Sequence, residues 1–163
     1  MKRRLFFLIL AASSFSVSHA QFKVWSYDKY KLKFKMMEDM NVITNDDGLF
    51  EAKSQDYYLQ IFPLTGKAVK YEEMKNNITD FALNTVNFKY GHSNNAGHEQ
   101  PFYLTGLVHY WGIALDGAEN EQAVTLLLLV DPDNPVICYY ITLGYRSEYY
   151  KKVSTIMNSF EPL

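Results

Sequence analysis

Residues 123–130 read AVTLLLLV, apolar at every position except Thr125. The run is eight residues long and lies between two turn-rich stretches, DGAENEQ before it and DPDNP after it. That length and those flanks favour a strand over a helix. Successive side chains of a strand point to opposite faces of its sheet. A strand apolar on both faces is stable only in the middle of a sheet that is covered on both sides. Any fold for this chain must therefore supply two covering layers.

Two amphipathic segments are available. In residues 70–86, Tyr71, Met74, Ile78, Phe81, Ala82, Thr85 and Val86 recur at three- and four-residue spacing, with Glu72, Glu73, Lys75, Asn76 and Asp80 between them. This predicts a helix with one apolar face. In the closing segment, Tyr150, Val153, Ile156, Met157 and Phe160 repeat the spacing. There Ser147 is the expected N-cap and Pro162 the expected stop.

Other segments have strand character. Tyr30, Leu32, Phe34 and Met36 alternate with Lys31, Lys33 and Lys35, the period of a half-buried strand. The turn Asn45-Asp46-Asp47-Gly48 leads into a strand over residues 49–54. Residues 57–62 (YYLQIF) form the next, stopped by Pro63. A long strand is expected from residue 102 to about residue 115, with Gly106 and Gly112 marking a bulge or a close backbone approach. Asp116-Gly117 is expected to open a turn, and residues 136–143 give a last strand. The predicted class is α+β: a mainly antiparallel sheet of five to six strands covered by two helices. The layers are α/β/α, and the order is hairpin, helix, three strands, helix.

The first twenty residues have a different character. Lys2, Arg3 and Arg4 precede an apolar run, LFFLILAA, and Ser18 and Ala20 occupy the small-residue positions read by signal peptidase. Residues 1–20 are therefore expected to be a signal peptide, cleaved between Ala20 and Gln21, and residues 21–163 a single domain. The apolar run is too short to span a bilayer. The expected location is periplasmic or secreted. With no cysteine at the cleavage position, no lipid or membrane anchor is expected.

Cleavage removes three of the 16 basic residues and none of the 18 acidic ones, leaving a net charge of −5. Arg146 is then the only arginine. This composition disfavours nucleic acid as a partner. Cys138 is the only cysteine, so no internal disulfide is possible.

Three segments carry a family resemblance: YKLKFKMMEDM at residues 30–40, YEEMKNNITDFAL at 71–83 and GYRSEYYKKVSTIMNSFE at 144–161. In order, they resemble the PsbP-like fold. That fold is shared by a photosystem II extrinsic subunit, a Ran-binding nuclear-import factor and exported bacterial domains of unknown role. Its bacterial members close a final helix on Ser-Phe, which here is Ser159-Phe160. At the first strand those members tend to carry a Pro and then a Trp, where this chain has Met36-Met37-Glu38-Asp39-Met40. The resemblance implies an α+β fold used elsewhere for protein contacts. It implies no shared catalytic centre, so no residue role is carried over.

Catalytic signatures are absent from the sequence: no glycine-rich phosphate loop, nucleophile elbow, H-E-x-x-H or paired-cysteine spacing. A Cys/His pair can be written from Cys138 and His109, but Cys138 lies in an expected core strand, where a buried thiol is inert. His92, His98 and Glu99 share a polar, glycine-containing stretch and are the candidate metal ligands. The turn at residues 45–48 lacks the spaced carboxylates of a calcium loop. Aromatic residues are abundant, with 13 Tyr, 11 Phe and 2 Trp. Tyr103, His109, Tyr110 and Trp111 fall together on the expected long strand and are the candidate binding residues.

The leading expectation is an exported, non-catalytic binding or interaction module, without cofactor, for a protein, sugar or peptide partner. The alternatives are a small metal-dependent enzyme at His92, His98 and Glu99, and an envelope carrier of a small ligand.

Overall fold

Alternation and helical spacing resolve into definite elements in the computed structural model, which describes residues 22–84, 89–90, 100–120 and 122–163. Along these residues run β1 (Phe22–Tyr27), β2 (Leu32–Met37), β3 (Asn41–Asn45), β4 (Phe50–Lys53) and β5 (Tyr57–Leu64). There follow α1 (Met74–Asn84), β6 (Lys89–Tyr90), β7 (Phe102–Tyr103), β8 (Trp111–Glu119) and β9 (Gln122–Val130). The chain closes with β10 (Cys138–Tyr145), α2 (Tyr150–Met157) and β11 (Glu161–Pro162). The fold is α+β with antiparallel strand pairing. No described helix is long and apolar enough to cross a membrane.

The strands form two sheets rather than the single sheet of five to six strands expected. The larger has the order β3-β4-β5-β10-β9-β8-β6, with β7 also paired to β8. The smaller has the order β1-β2-β11. The lysine-alternating strand β2 therefore does not join the β4–β5 hairpin. It pairs with β1, Trp25 opposite Phe34, and with the two-residue β11. Its Leu32, Phe34 and Met36 are buried.

The AVTLLLLV segment is β9, flanked by β8 and β10 and buried throughout from Ala123 to Val130. Its even-numbered side chains Val124, Leu126, Leu128 and Val130 meet Met74, Ile78 and Ala82, which sit four residues apart on α1. Its odd-numbered Leu127 and Leu129 share the opposite core with Val153, Ile156 and Met157 of α2, and with the inner face of β2. The second cover is thus a helix and a small sheet together, where a helix alone was expected. Each leucine so buried contributes about 1.5–3 kcal/mol of hydrophobic stabilisation.

Thr125, the single polar residue of the segment, is fully buried. Its hydroxyl donates to Asp116 Oδ1 at 2.5 Å and lies 2.9 Å from the Tyr145 hydroxyl. Asp116 was expected to open a turn. It lies instead inside β8, where Thr125 is its cross-strand partner, and the chain reverses only after Glu119, at left-handed Asn120 (φ 48°).

Other local expectations also shift. Pro63 does not stop β5; it pairs opposite Tyr139. The β4 pairing ends at Ile61, so Pro63 lies beyond that neighbour and no ladder hydrogen bond is lost there. Ser147 begins a 3-10 turn without a side-chain cap, and Pro162 belongs to β11. The Asn45–Gly48 turn stands, held by Asp46 Oδ1 accepting from the Gly48 and Leu49 amides at 3.0 Å each. Gly48 does not use a positive φ there; the Asp46 side chain makes the turn.

Buried phenols make this fold sensitive to alkali. Burial pushes the Tyr27 phenol up to about 12 from an ordinary 10.0. Tyr57, Tyr139 and Tyr145 are pushed up for the same reason. A group whose folded pKa is raised holds its proton more tightly when folded. Its contribution is complete below pH 10 and is lost as pH climbs through 12. Urea unfolding is expected to give a constant free energy from pH 8 to 9, then a loss of up to about 1.4 kcal/mol per pH unit for each such tyrosine. A flat profile through pH 12 would contradict this burial.

Candidate functional site

The expected long strand from residue 102 is in fact a hairpin. β7 and β8 pair antiparallel, Phe102 opposite Ala114 and Tyr103 opposite Ile113. The Leu104 amide donates to the Gly112 carbonyl at 2.9 Å and tightens the reversal. Gly112 permits it: a Cβ there would overlap Leu107 and press on Leu104 at 3.1 Å. The atoms that close on this glycine belong to leucine side chains and not to another backbone, where the sequence suggested a bulge or a close backbone approach.

The reversal brings Tyr103 and Trp111 into one aromatic cluster. Eight residues apart on one straight strand, they would stand roughly 27 Å from each other. Here both flank Tyr71. Tyr71 stacks on Tyr103, ring centroids 5.1 Å apart and planes 19° apart. Tyr71 meets Trp111 edge-on at 5.1 Å and 71°. The three residues stay partly open to solvent, at 41% for Tyr71, 44% for Tyr103 and 37% for Trp111.

Periodicity assigns Tyr71 to the apolar face of the first helix, so it was not a candidate. It lies just before α1, in a 3-10 turn over Tyr71–Glu73. The preceding Val69 is buried, and its amide donates to the Pro135 carbonyl at 3.0 Å. That bond pins the helix entrance to the β9–β10 connection. Two charged residues near Tyr71 in sequence pair with each other: Lys70 Nζ lies 3.9 Å from Glu73 Oε1. The only sequence signal available was its place as the first apolar residue of the expected helix, where a helix end can leave a ring partly open.

Tyr110 lies in the reversal just before β8 and does not join this cluster. It is buried, edge-on to Tyr139 at 5.9 Å and 82°, and burial raises its phenol pKa. It is a core residue. His109 is exposed and lies elsewhere, beside a hollow of about 220 Å³ lined by Lys35, Asn158 and Ser159 over Phe34 and Phe160. The four candidate binding residues thus separate into two surface aromatics, one core aromatic and one histidine on another surface.

The candidate metal ligands His92, His98 and Glu99 lie outside the described residues. Among the described residues, no group of three or more His, Cys, Asp or Glu side chains is placed to hold a metal. Cys138 is buried against the α1 side of the sheet, donates to the Pro135 carbonyl at 3.1 Å, and has its thiol pushed up by burial. It is poorly suited to nucleophilic chemistry.

One further polar surface lies on the larger sheet. The Tyr58 ring covers Gly144, its cross-strand partner, and its hydroxyl donates to Glu119 Oε2 at 3.0 Å. Glu51, Lys53 and Gln60 complete an open depression there of about 290 Å³.

No family model and no curated protein matches this chain. Among solved structures, it is similar to a protein of Bacteroides thetaiotaomicron (TM-score 0.48, 10% identity) over 88% of this chain and 48% of that one. It therefore spans about half the length of that protein. It is also similar to LpqN, described as involved in cell envelope biogenesis of Mycobacterium tuberculosis. There the TM-score is 0.46, the identity 12%, and the coverage 87% of this chain and 90% of that one.

Proposed function

We propose that the chain is an exported, non-catalytic binding module that takes its ligand on the Tyr71–Tyr103–Trp111 surface. The carrying observation is three touching aromatic residues, each about two-fifths exposed. Tyrosine and tryptophan are amphipathic and offer large contact area at low conformational cost, which suits them to recognition. The charged start, apolar run and small-residue end of residues 1–20 support export. The PsbP-like resemblance fits a role in binding.

Trp111 makes the reading testable, because the chain has only one other tryptophan, Trp25. Polysaccharides, peptides and lipid-headgroup analogues are titrated while tryptophan emission is followed. At least one class is expected to change the emission of wild type and Trp25→Phe but not of Trp111→Phe. A flat response to all three classes would overturn the proposal. Sequencing the amino terminus of protein recovered from its host is expected to begin at Gln21; a start at Met1 counts against export.

The competing metal-dependent enzyme at His92, His98 and Glu99 separates on a zinc titration. A ligand that binds only the folded state raises its melting temperature. The binding-module reading expects no rise in excess zinc.

A further inference from the structure

The packing of the three rings points to a class of ligand. This step rests on the reading that the cluster is the binding surface. An aromatic cage holds a quaternary ammonium group by surrounding it, with the cation within about 6 Å of each ring centroid. Here the gap is already filled. Tyr71 and Tyr103 are stacked on one another, and Trp111 abuts Tyr71 at the same 5.1 Å spacing. A ligand can only lie on the outside, as on a platform.

The rings offer apolar faces, and the Tyr71 segment carries exposed charge: Lys70 and Glu73 are open at 74% and 55% of their side-chain surfaces. Tyr71 and Tyr103 add phenol hydroxyls. A pyranose ring has the complementary character: its two faces carry C–H groups and its rim carries hydroxyls. Faces resting on aromatic rings and rim hydroxyls bonding to the phenol hydroxyls would satisfy both partners at once. An aliphatic partner lying over the rings would leave the phenol hydroxyls desolvated without hydrogen bonds, which costs free energy. Residues 21–163 are net acidic, with 13 basic and 18 acidic residues and a charge of −5. A polyanionic glycan would be repelled, so the fit is to a neutral one.

We propose that the Tyr71–Tyr103–Trp111 surface binds a neutral polysaccharide by stacking of pyranose rings. The test is electrophoresis of the full protein in native gels that contain laminarin, arabinoxylan or amylopectin, with polygalacturonate as the anionic comparison. Wild type is expected to be retarded by at least one neutral polymer and not by polygalacturonate. Tyr103→Ala and Trp111→Ala are each expected to weaken binding about tenfold or more, a factor in keeping with the loss of one aromatic contact. His109→Ala, on a separate surface, is expected to bind as wild type does. Circular dichroism melts of all variants establish that they fold, as exposed positions allow.

Absence of retardation by every neutral polymer would overturn the inference, as would retardation that both alanine variants retain. If no polymer retards the protein but choline or a peptide changes Trp111 emission, the ligand class is wrong and the binding surface stands. If neither polymers nor those probes have any effect, both readings fall.

Discussion

Phe50→Ala is expected to lower the unfolding free energy by about 3–5 kcal/mol, the range for deleting a fully buried aromatic side chain. Phe50 begins β4 of the larger sheet and is 0% exposed. Its ring neighbours come from the smaller sheet: Phe34 edge-on at 5.2 Å, Tyr27 at 5.8 Å and Trp25 at 6.4 Å. Those three residues lie on β1 and β2, whose own pairing fixes their positions. They have little freedom to collapse into the space left by a missing ring, so the cavity term should be near its full value.

A domain of this size has about 5–15 kcal/mol of total stability, and the variant loses a large share of it. Urea titration is expected to show a lower midpoint with an unchanged slope. Phe50→Leu keeps most of the volume and should cost less than half as much. A Phe50→Ala penalty below about 1 kcal/mol would mean that the two sheets do not share a core at this residue.

Gly144→Ala is expected to cost about 1–3 kcal/mol, as overpacking in a well-filled site does. The glycine serves a close approach rather than an unusual backbone angle. The Tyr58 ring lies directly over it, where a Cβ would overlap the ring. That ring cannot move without breaking the 3.0 Å hydrogen bond to Glu119. Burial first, and then the Glu119 charge, push the Tyr58 phenol above its ordinary value.

Two measurements follow from this arrangement. Phenol titration by ultraviolet absorbance should show one tyrosine of Gly144→Ala shifted back toward ordinary values. In a double-mutant cycle, Gly144→Ala should cost far less on a Tyr58→Ala background, because the clashing ring is gone. Strict additivity of the two substitutions would sink the account.

Much of the fold could be read from the chain as written. Met74, Ile78 and Ala82 announce α1 by their four-residue spacing, and all three are buried. β2 alternates as its lysines suggest, and β9 is covered on both faces. These features are local, because the period of a segment is set by its own backbone geometry. The partner of each strand was not legible. The β2 strand was as compatible with the β4–β5 hairpin as with β1 and β11, since its apolar face needs a core but does not name one. Residues 102–119 read as a strand and a turn because the reversal at residues 104–110 carries no Asn-Gly or Asp-Gly pair.

The candidate site divides along the same line. Tyr103 and Trp111 were found from the sequence, because amphipathic aromatics on an expected strand are natural candidates. Tyr110 was grouped with them, although on the expected strand it would face away from Trp111. Tyr71 was assigned to the core by its spacing. Its exposure depends on the Val69–Pro135 bond and on the β7–β8 reversal, both formed with residues distant in sequence.

By itself the sequence determined an α+β chain built around one doubly buried strand, with an amphipathic helix to cover it. Hydrophobic periodicity is enough for that, because burial acts on each residue according to its face. The tertiary structure alone decided that a second sheet completes the other cover, and that Tyr71, Tyr103 and Trp111 share one exposed surface. Those outcomes depend on which distant backbone groups pair, and pairing is a property of the whole chain.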